Sequence, residues 1–509
     1  MLSKVKTCVL QGLDGTIVEV ETDISRGLPV FNIVGLPDIS IKESKERVRT
    51  AIKNSGYEFP LSRITVNLAP ANTRKEGSQL DLSIAVGILT AMEVVKQRFF
   101  DDTCFIGELS LDGNISRIDG ALPITISLME KGIKRAIIPF DNRDECSVVK
   151  NIDIIPVKSL SELVLYLNEE LDIESYTSTT FTQTVEEQNQ YGDFSDIKGQ
   201  YALKRAMEVA AAGHHNILIL GPPGSGKTMA ARRLPSILPN LTFEESLEIT
   251  KIYSIAGLLN NRSFISIRPF RAPHHTASAT SLIGGGRIPK PGEISLAHHG
   301  ILFLDELPEF SKSVIEVLRQ PMEDGIVTIS RVNATLTYPT KFMLVASMNP
   351  CPCGYYGDPV HQCSCSQKSI ERYLGKVSGP LLDRIDIHIE VTPVSYNDLG
   401  EGNSDTETSS EIRQRVNKAR QLQLERYKND NIFSNSQLTT KNINKYCKLD
   451  LKGQKLLKEA FNKLGLSARA YNKVLKVART IADLEGKETI EHQHLAEAIQ
   501  YRNLDRKYW

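Results

Sequence analysis

The chain has 509 residues, of which 61 are basic and 61 acidic, so its formal net charge is zero and any polyanion site has to be local. Eight cysteines over this length exclude a disulfide scaffold. Residues 1–11 lack a signal-type apolar core and no apolar run is long enough to span a bilayer, so the expectation is a soluble, cytoplasmic protein of several domains.

Residues 1–168 alternate between strand and helix patterns and read as a mixed α/β domain. Strands are expected at 16–24, 30–34, 64–68, 105–109 and 136–139, and helices at 38–54, 80–96, 122–131 and 159–167. Gly35-Leu36-Pro37-Asp38 is a turn followed by an Asp N-cap. The stretch Lys75-Glu76-Gly77-Ser78-Gln79-Leu80-Asp81, together with 105–142, resembles the proteolytic domain of Lon proteases, which has the ribosomal-S5-like fold. Where that family carries its nucleophilic serine this chain has Gln79, with Ser78 one place off. Where it carries its lysine, after Gly120, this chain has Leu122 to Ile124. A Ser–Lys dyad needs both groups in hydrogen-bond reach, so the resemblance implies the fold without peptidase chemistry.

Residues 169–193 hold seven acids and no Lys or Arg, and read as a polar linker. A second domain is expected over 194–400. After a helix at 201–212, the apolar run 216–220 enters Gly221-Pro222-Pro223-Gly224-Ser225-Gly226-Lys227-Thr228, and 229–234 reads as helix. A buried strand, a glycine-rich loop, Lys-Thr and a helix form a phosphate loop. The glycines let backbone amides wrap phosphates, Lys227 reaches the β- and γ-phosphates, and Thr228 offers a hydroxyl to Mg²⁺. Residues 262–300 carry Arg262, Arg268, Arg271, Arg287 and Lys290 against Glu293, four histidines, and a hinge at Gly284-Gly285-Gly286. This suits a polyanion contact; a solvated loop is the alternative. Ile301-Leu302-Phe303-Leu304-Asp305-Glu306 is a buried strand ending in two carboxylates, Asp305 for the metal and Glu306 to polarise water.

A helix at 312–323 and a hairpin at 326–339 follow, the hairpin tip near Arg331 and Asn333. The next strand, 341–347, leads to Asn349, placed to sense the γ-phosphate and orient water, with a plain turn residue as the alternative. Cys351-Pro352-Cys353 and, nine residues on, Cys363-Ser364-Cys365 give four thiols suited to Zn²⁺; a redox disulfide or unligated thiols are the alternatives, and His361 is a candidate replacement ligand. Arg384, in Leu382-Asp383-Arg384-Ile385-Asp386, is placed to stabilise phosphoryl charge in a neighbouring subunit, or else to pair with Asp383 or Asp386. After a polar break at 401–410, residues 411–509 read as helical, with 21 basic and 11 acidic residues, a net of +10. Arg469 sits near the start of a helix running to about residue 484.

Taken together, Gly35–Asp38, the phosphate loop, Phe270-Arg271-Ala272-Pro273-His274-His275-Thr276, 301–306, 349–354, 382–386 and 466–470 resemble the YifB/ComM family of Mg-chelatase-like AAA+ ATPases. The resemblance implies a Lon-like α/β N-domain, an AAA+ core with a helix-2 insert and a pre-sensor-1 hairpin, and an all-α C-terminal lid. It assigns Asn349 as sensor 1, Arg384 as arginine finger and Arg469 as sensor 2. It implies ATP and Mg²⁺ as cofactors, a homohexameric ring, and a DNA motor for branch migration during natural transformation, with recombination proteins as further partners. On this reading Arg287, Lys290, Arg331 and Asn333 grip single-stranded, forked or branched DNA without reading sequence. The rivals are a magnesium-chelatase motor subunit, an ATP-dependent protease, which the missing dyad disfavours, and a non-enzymatic DNA scaffold, which Lys227, Glu306 and Arg384 disfavour.

Overall fold

Two units divide the chain: Met1–Phe181 with Ser246–Ile265, and Thr182–Glu245 with Ser266–Trp509. The sequence reading assigned 246–265 to the ATPase core, whereas these residues go with the first unit. The computed structural model describes residues 2–71, 75–97, 100–177, 189–259, 262, 264–286, 289–331, 335–358, 361–393, 407–430 and 432–504.

In the first unit a seven-stranded sheet runs in the order Val30–Val34, Arg63–Ala69, Asp14–Ser25, Leu2–Gln11, Thr103–Phe105, Arg135–Pro139, Asp153–Val157. Strand Leu2–Gln11 was not anticipated, although Ser3, Val5 and Thr7 alternate inward against Lys4 and Lys6. Helix Ile39–Asn54 begins as expected, with Asp38 Oδ1 accepting from the Ile41 N–H at 2.8 Å, a cap worth about 1 kcal/mol. Helix Asp81–Ala91 is buried at all eleven residues. It stops short of the expected residue 96 because Glu93 turns left-handed (φ 63°) and its N–H bonds back to the Thr90 carbonyl. Ser246–Ile265 supplies buried partners to this unit: Ser254 Oγ donates to Glu145 at 2.8 Å, and the Gly120 N–H donates to the Ser254 carbonyl at 3.1 Å. Burial pushes the Glu145 carboxyl up. The Ser78 hydroxyl donates to Glu108, and the Lys75 ammonium donates to the Pro70 carbonyl.

The second unit is built on a parallel sheet in the order Phe270–Arg271, Ile301–Leu304, Met343–Met348, Ile217–Leu220, Ile387–Glu390. Numbered along the chain, that is 2-3-4-1-5. Strand 1 therefore lies where the order reverses, and open α/β sheets bind ligands at the carboxyl ends of strands at such a point. The expected helix at 312–323 is two pieces, Lys312–Val317 and Arg319–Asp324. Pro321 explains the break: it donates no N–H and its ring crowds the carbonyl four residues back, that of Val317. The lid contains helices Ser409–Arg426, Thr440–Tyr446, Leu451–Leu464, Ala468–Leu484 and His492–Gln500. Val416, Val474 and Leu475 of the lid share one apolar cluster with Ile217, Val345 and Ile387 of the sheet. A buried ionic knot also joins core and lid. Glu245 accepts from Arg268 at 2.7 Å and from Arg420 at 3.0 Å. Burial opposes the Glu245 charge, but the two guanidiniums hold its carboxyl down at about 2. Among the described residues no helix is long and apolar enough to cross a membrane.

Candidate functional site

Strand Ile217–Leu220 is buried at every residue and feeds the phosphate loop from its carboxyl end. Gly224 and Gly226 hold φ of 76° and 84°, and a Cβ at either would meet nothing within 4 Å. Backbone geometry rather than crowding therefore demands glycine there. Lys227 is 8 % exposed; its Nζ donates to the Gly221 and Pro222 carbonyls at 2.8 Å each and to Asn349 Oδ1 at 3.2 Å. Burial lowers the Lys227 ammonium, and Asp305 and Glu306 act against that shift.

Thr228 Oγ1 donates to Asp305 Oδ2 at 2.8 Å. The other oxygen of Asp305 accepts from the Ser347 hydroxyl and from the Glu306 N–H. Lys227, Thr228, Asp305 and Asn349 thus meet in one network, built from the ends of strands Ile217–Leu220, Ile301–Leu304 and Met343–Met348. Glu306 is exposed and left-handed (φ 54°), a conformation that costs a non-glycine residue about 1–3 kcal/mol. Its N–H bonds, to Asp305 at 3.1 Å and Ser347 at 3.3 Å, hold it there. A buried ammonium beside loop amides fits a polyphosphate. A hydroxyl and carboxylate already in contact are hard oxygen donors that fit Mg²⁺.

Arg384 and Arg469 are not part of this network. They converge on Glu323: Arg384 Nη2 bonds its carboxylate, and Arg469 Nη2 lies 3.5 Å from its other oxygen. Together these two guanidiniums lower the Glu323 carboxyl, Arg384 most. The three residues line a cleft of about 800 Å³ that also takes in Lys473 and Lys476. The anticipated pairing of Arg384 with Asp383 or Asp386 does not form. Asp386 is buried against Lys473 at 2.9 Å and caps the Asn216 N–H at 3.1 Å. Asn216 precedes strand Ile217–Leu220, and its Nδ2 bonds the Arg384 carbonyl at 3.1 Å. Arg384 therefore belongs to the amino-terminal edge of the sheet and the phosphate loop to the carboxyl edge, a strand length of about 13 Å apart. The sequence reading missed Glu323, which lies 61 residues from Arg384 and carries no local signal.

The four cysteine thiols come together. Cys351 Sγ is 3.3 Å from Cys353 Sγ and 3.7 Å from Cys363 Sγ; Cys353 and Cys363 are 3.6 Å apart. With Cys365, all four sulfurs lie within 4.8 Å of one another. His361 is outside the group; its Nδ1 lies 3.5 Å from Asp358.

The basic insert differs from expectation. Arg268 is buried, donating to the Pro239 and His299 carbonyls as well as to Glu245, and Arg271 forms a two-bond pair with Glu293 at 2.6 and 2.7 Å. These two arginines serve the fold. The expected glycine hinge is a small antiparallel ribbon, Gly284–Gly285 against Lys290–Pro291. It lies against the hairpin Ile326–Ser330/Thr335–Pro339, whose Tyr338 hydroxyl donates to the Pro289 carbonyl at 2.9 Å. Arg331 reaches the ribbon, its Nη2 lying 3.1 Å from where a Gly285 Cβ would stand. Lys290 and Arg331 are exposed on these adjoining elements; Arg287 and Asn333 lie outside the described residues.

Three family models match: "Magnesium chelatase, subunit ChlI" over residues 193–399, "Subunit ChlI of Mg-chelatase" over 20–142, and "Magnesium chelatase, subunit ChlI C-terminal" over 406–502. The competence protein ComM of Haemophilus influenzae is 44 % identical over 97 % of this chain and 96 % of its own length. YifB of Escherichia coli is 41 % identical over 99 % of this chain and 98 % of its own. The magnesium-chelatase 67 kDa subunit of Chlorobaculum parvum is 28 % identical over only 40 % of this chain and 27 % of its own length.

Proposed function

Because the chain belongs to the Mg-chelatase-like AAA+ ATPase family of ComM and YifB, we propose that it is an ATP-driven homohexameric DNA motor, a cytoplasmic helicase that moves branch points as incoming DNA is recombined. Lys227 and the loop amides hold the phosphates, while Thr228 and Asp305 hold Mg²⁺, which when bound neutralises phosphoryl charge. Glu306 orients the attacking water and takes its proton, and Asn349 positions the γ-phosphate end.

One observation carries the ring: Arg384 stands at the opposite edge of the sheet from its own phosphate loop. Each subunit therefore brings half of an ATP site on one face and the arginines of the next site on another. Closed head-to-tail assembly completes every site, and a ring is its closed form.

DNA is the substrate best supported. Lys290 and Arg331 share adjoining elements that present cations without a base-reading helix. The full-length likeness to a competence protein points to transformation as the setting. The shorter chelatase match favours a second reading, a motor for metal insertion into a porphyrin. The deciding experiment is ATP hydrolysis with and without single-stranded, duplex and forked DNA, alongside branch migration on a four-way junction. Stimulation by forked or branched DNA is expected. A protein that binds no DNA at low salt and moves no branch point sinks the DNA reading.

A further inference from the structure

We propose that Cys351, Cys353, Cys363 and Cys365 hold one Zn²⁺ ion, and that this ion is the strut that keeps Asn349 and the phosphate loop in nucleotide-binding position. Tetrahedral zinc with thiolates at about 2.3 Å sets its sulfurs about 3.8 Å apart. The sulfur separations of 3.3, 3.6 and 3.7 Å fall close to that edge. They are far from the ~2.05 Å of a disulfide, and all four cysteines are free. The Cys353 N–H points at Cys365 Sγ at 3.4 Å, tying one C-x-C pair to the other. Four soft thiolates select zinc over the hard cations that oxygen ligands prefer.

The chain needs such a staple here. The described part of 351–366 contains no helix or strand, and Cys351 alone of the four cysteines is fully buried. A connection of this length without structure of its own is uncommon in a packed domain. Metal binding, with release of the thiol protons, supplies the missing free energy.

Residues 349–354, where the segment begins, approach the phosphate loop at two points. Asn349, two residues before Cys351, accepts the Lys227 ammonium at 3.2 Å. The Gly354 N–H closes a turn onto the Cys351 carbonyl at 3.0 Å, and the glycine lies so near Pro223 that an added Cβ would stand 2.5 Å from the proline Cδ. Zinc thus fixes both ends of a short brace against the phosphate loop. The inference rests on the nucleotide reading for its second half only.

The test starts with protein purified under reducing conditions. Metal analysis should find about one zinc per chain, and cobalt substitution should give the absorption of a tetrahedral thiolate site. Zinc is then stripped from the wild-type protein with a thiol-reactive mercurial and a chelator. Binding of a fluorescent ATP analogue is compared before stripping, after it, and after Zn²⁺ is restored. Stripping should weaken the analogue roughly tenfold, the weight of one hydrogen bond to a charged group, and zinc should restore it. Gly354→Ala should keep its zinc yet bind the analogue more weakly. Absence of zinc overturns the site; full zinc with unchanged affinity after stripping overturns the strut. Zinc-replete protein that binds no analogue at all would instead refute the nucleotide reading, and the metal content would still decide the site.

Discussion

Substitution of Arg384 by alanine tests the proposed division of the ATP site between subunits. The Arg384 carbonyl is bonded to Asn216, at the start of the strand whose far end carries Gly221. The intervening strand, Ile217–Leu220, spans about 13 Å, further than an arginine side chain reaches. Arg384 therefore makes no contribution to nucleotide held by its own loop. Arginine fingers supplied across an interface are worth about 10³–10⁵ in turnover, or roughly 4–7 kcal/mol of barrier. Arg384→Ala should lose at least about a thousandfold in kcat. Fluorescent-analogue affinity, measured on protein dilute enough to be monomeric, should stay within about twofold of wild type. Titrating Arg384→Ala into wild-type protein should depress the ATPase rate more than in proportion. If dilute Arg384→Ala binds the analogue as poorly as Lys227→Ala, the arginine serves its own loop and the argument for a ring fails.

Three further outcomes are expected. Lys227→Ala should abolish nucleotide binding, while Glu306→Gln should bind the analogue and fail to hydrolyse ATP; normal turnover by Glu306→Gln would remove it from the site. Paired loss of Lys290 and Arg331 should flatten the log–log salt dependence of DNA binding by about 0.7–0.9 per phosphate contact, with basal hydrolysis intact; an unchanged slope would place the DNA elsewhere. Glu245→Gln leaves Arg268 and Arg420 buried without their carboxylate, and should cost about 3–5 kcal/mol, read as a drop in the unfolding transition of the ATPase unit. The Glu245 carboxyl is held at about 2 in the folded protein, below its ordinary 4.5, so its contribution is complete above pH 4.5 and fades as pH falls toward 2. A Glu245→Gln protein with wild-type melting at neutral pH would contradict this.

The meeting of Lys227, Thr228, Asp305 and Asn349 was legible in the sequence although the partners lie 77 and 122 residues apart in the chain. Each residue sits at the end of a short apolar strand, and parallel strands bring such ends to one edge of the sheet. The Asp38 cap and the hairpin at 326–339 were legible because their patterns close within a few residues. Where a charged residue stands in no strand-end or cap pattern, composition misled. Arg268 and Arg271 look like members of a cationic insert, but Glu245 and Glu293 claim them inside the fold. Glu323 looks like an ordinary helix-end acid until folding brings Arg384 and Arg469 to it. The four thiols were recognisable as a group because nine residues separate two tight pairs.

The first unit borrows Ser246–Ile265 from beyond the phosphate loop, and order of synthesis gives that loan a consequence. A ribosome releases residues 1–177 well before Ser254 exists, so the nascent unit holds the Gly120 N–H and one oxygen of the Glu145 carboxylate without the Ser254 groups that later bond them, while the other oxygen already has Asn142 and Arg117. A fragment cut at residue 168 would keep that defect permanently. The usable fragment joins 1–177 to 246–265 through a short artificial connector, and the chain in the cell reaches the same state only after it has passed the phosphate loop and come back.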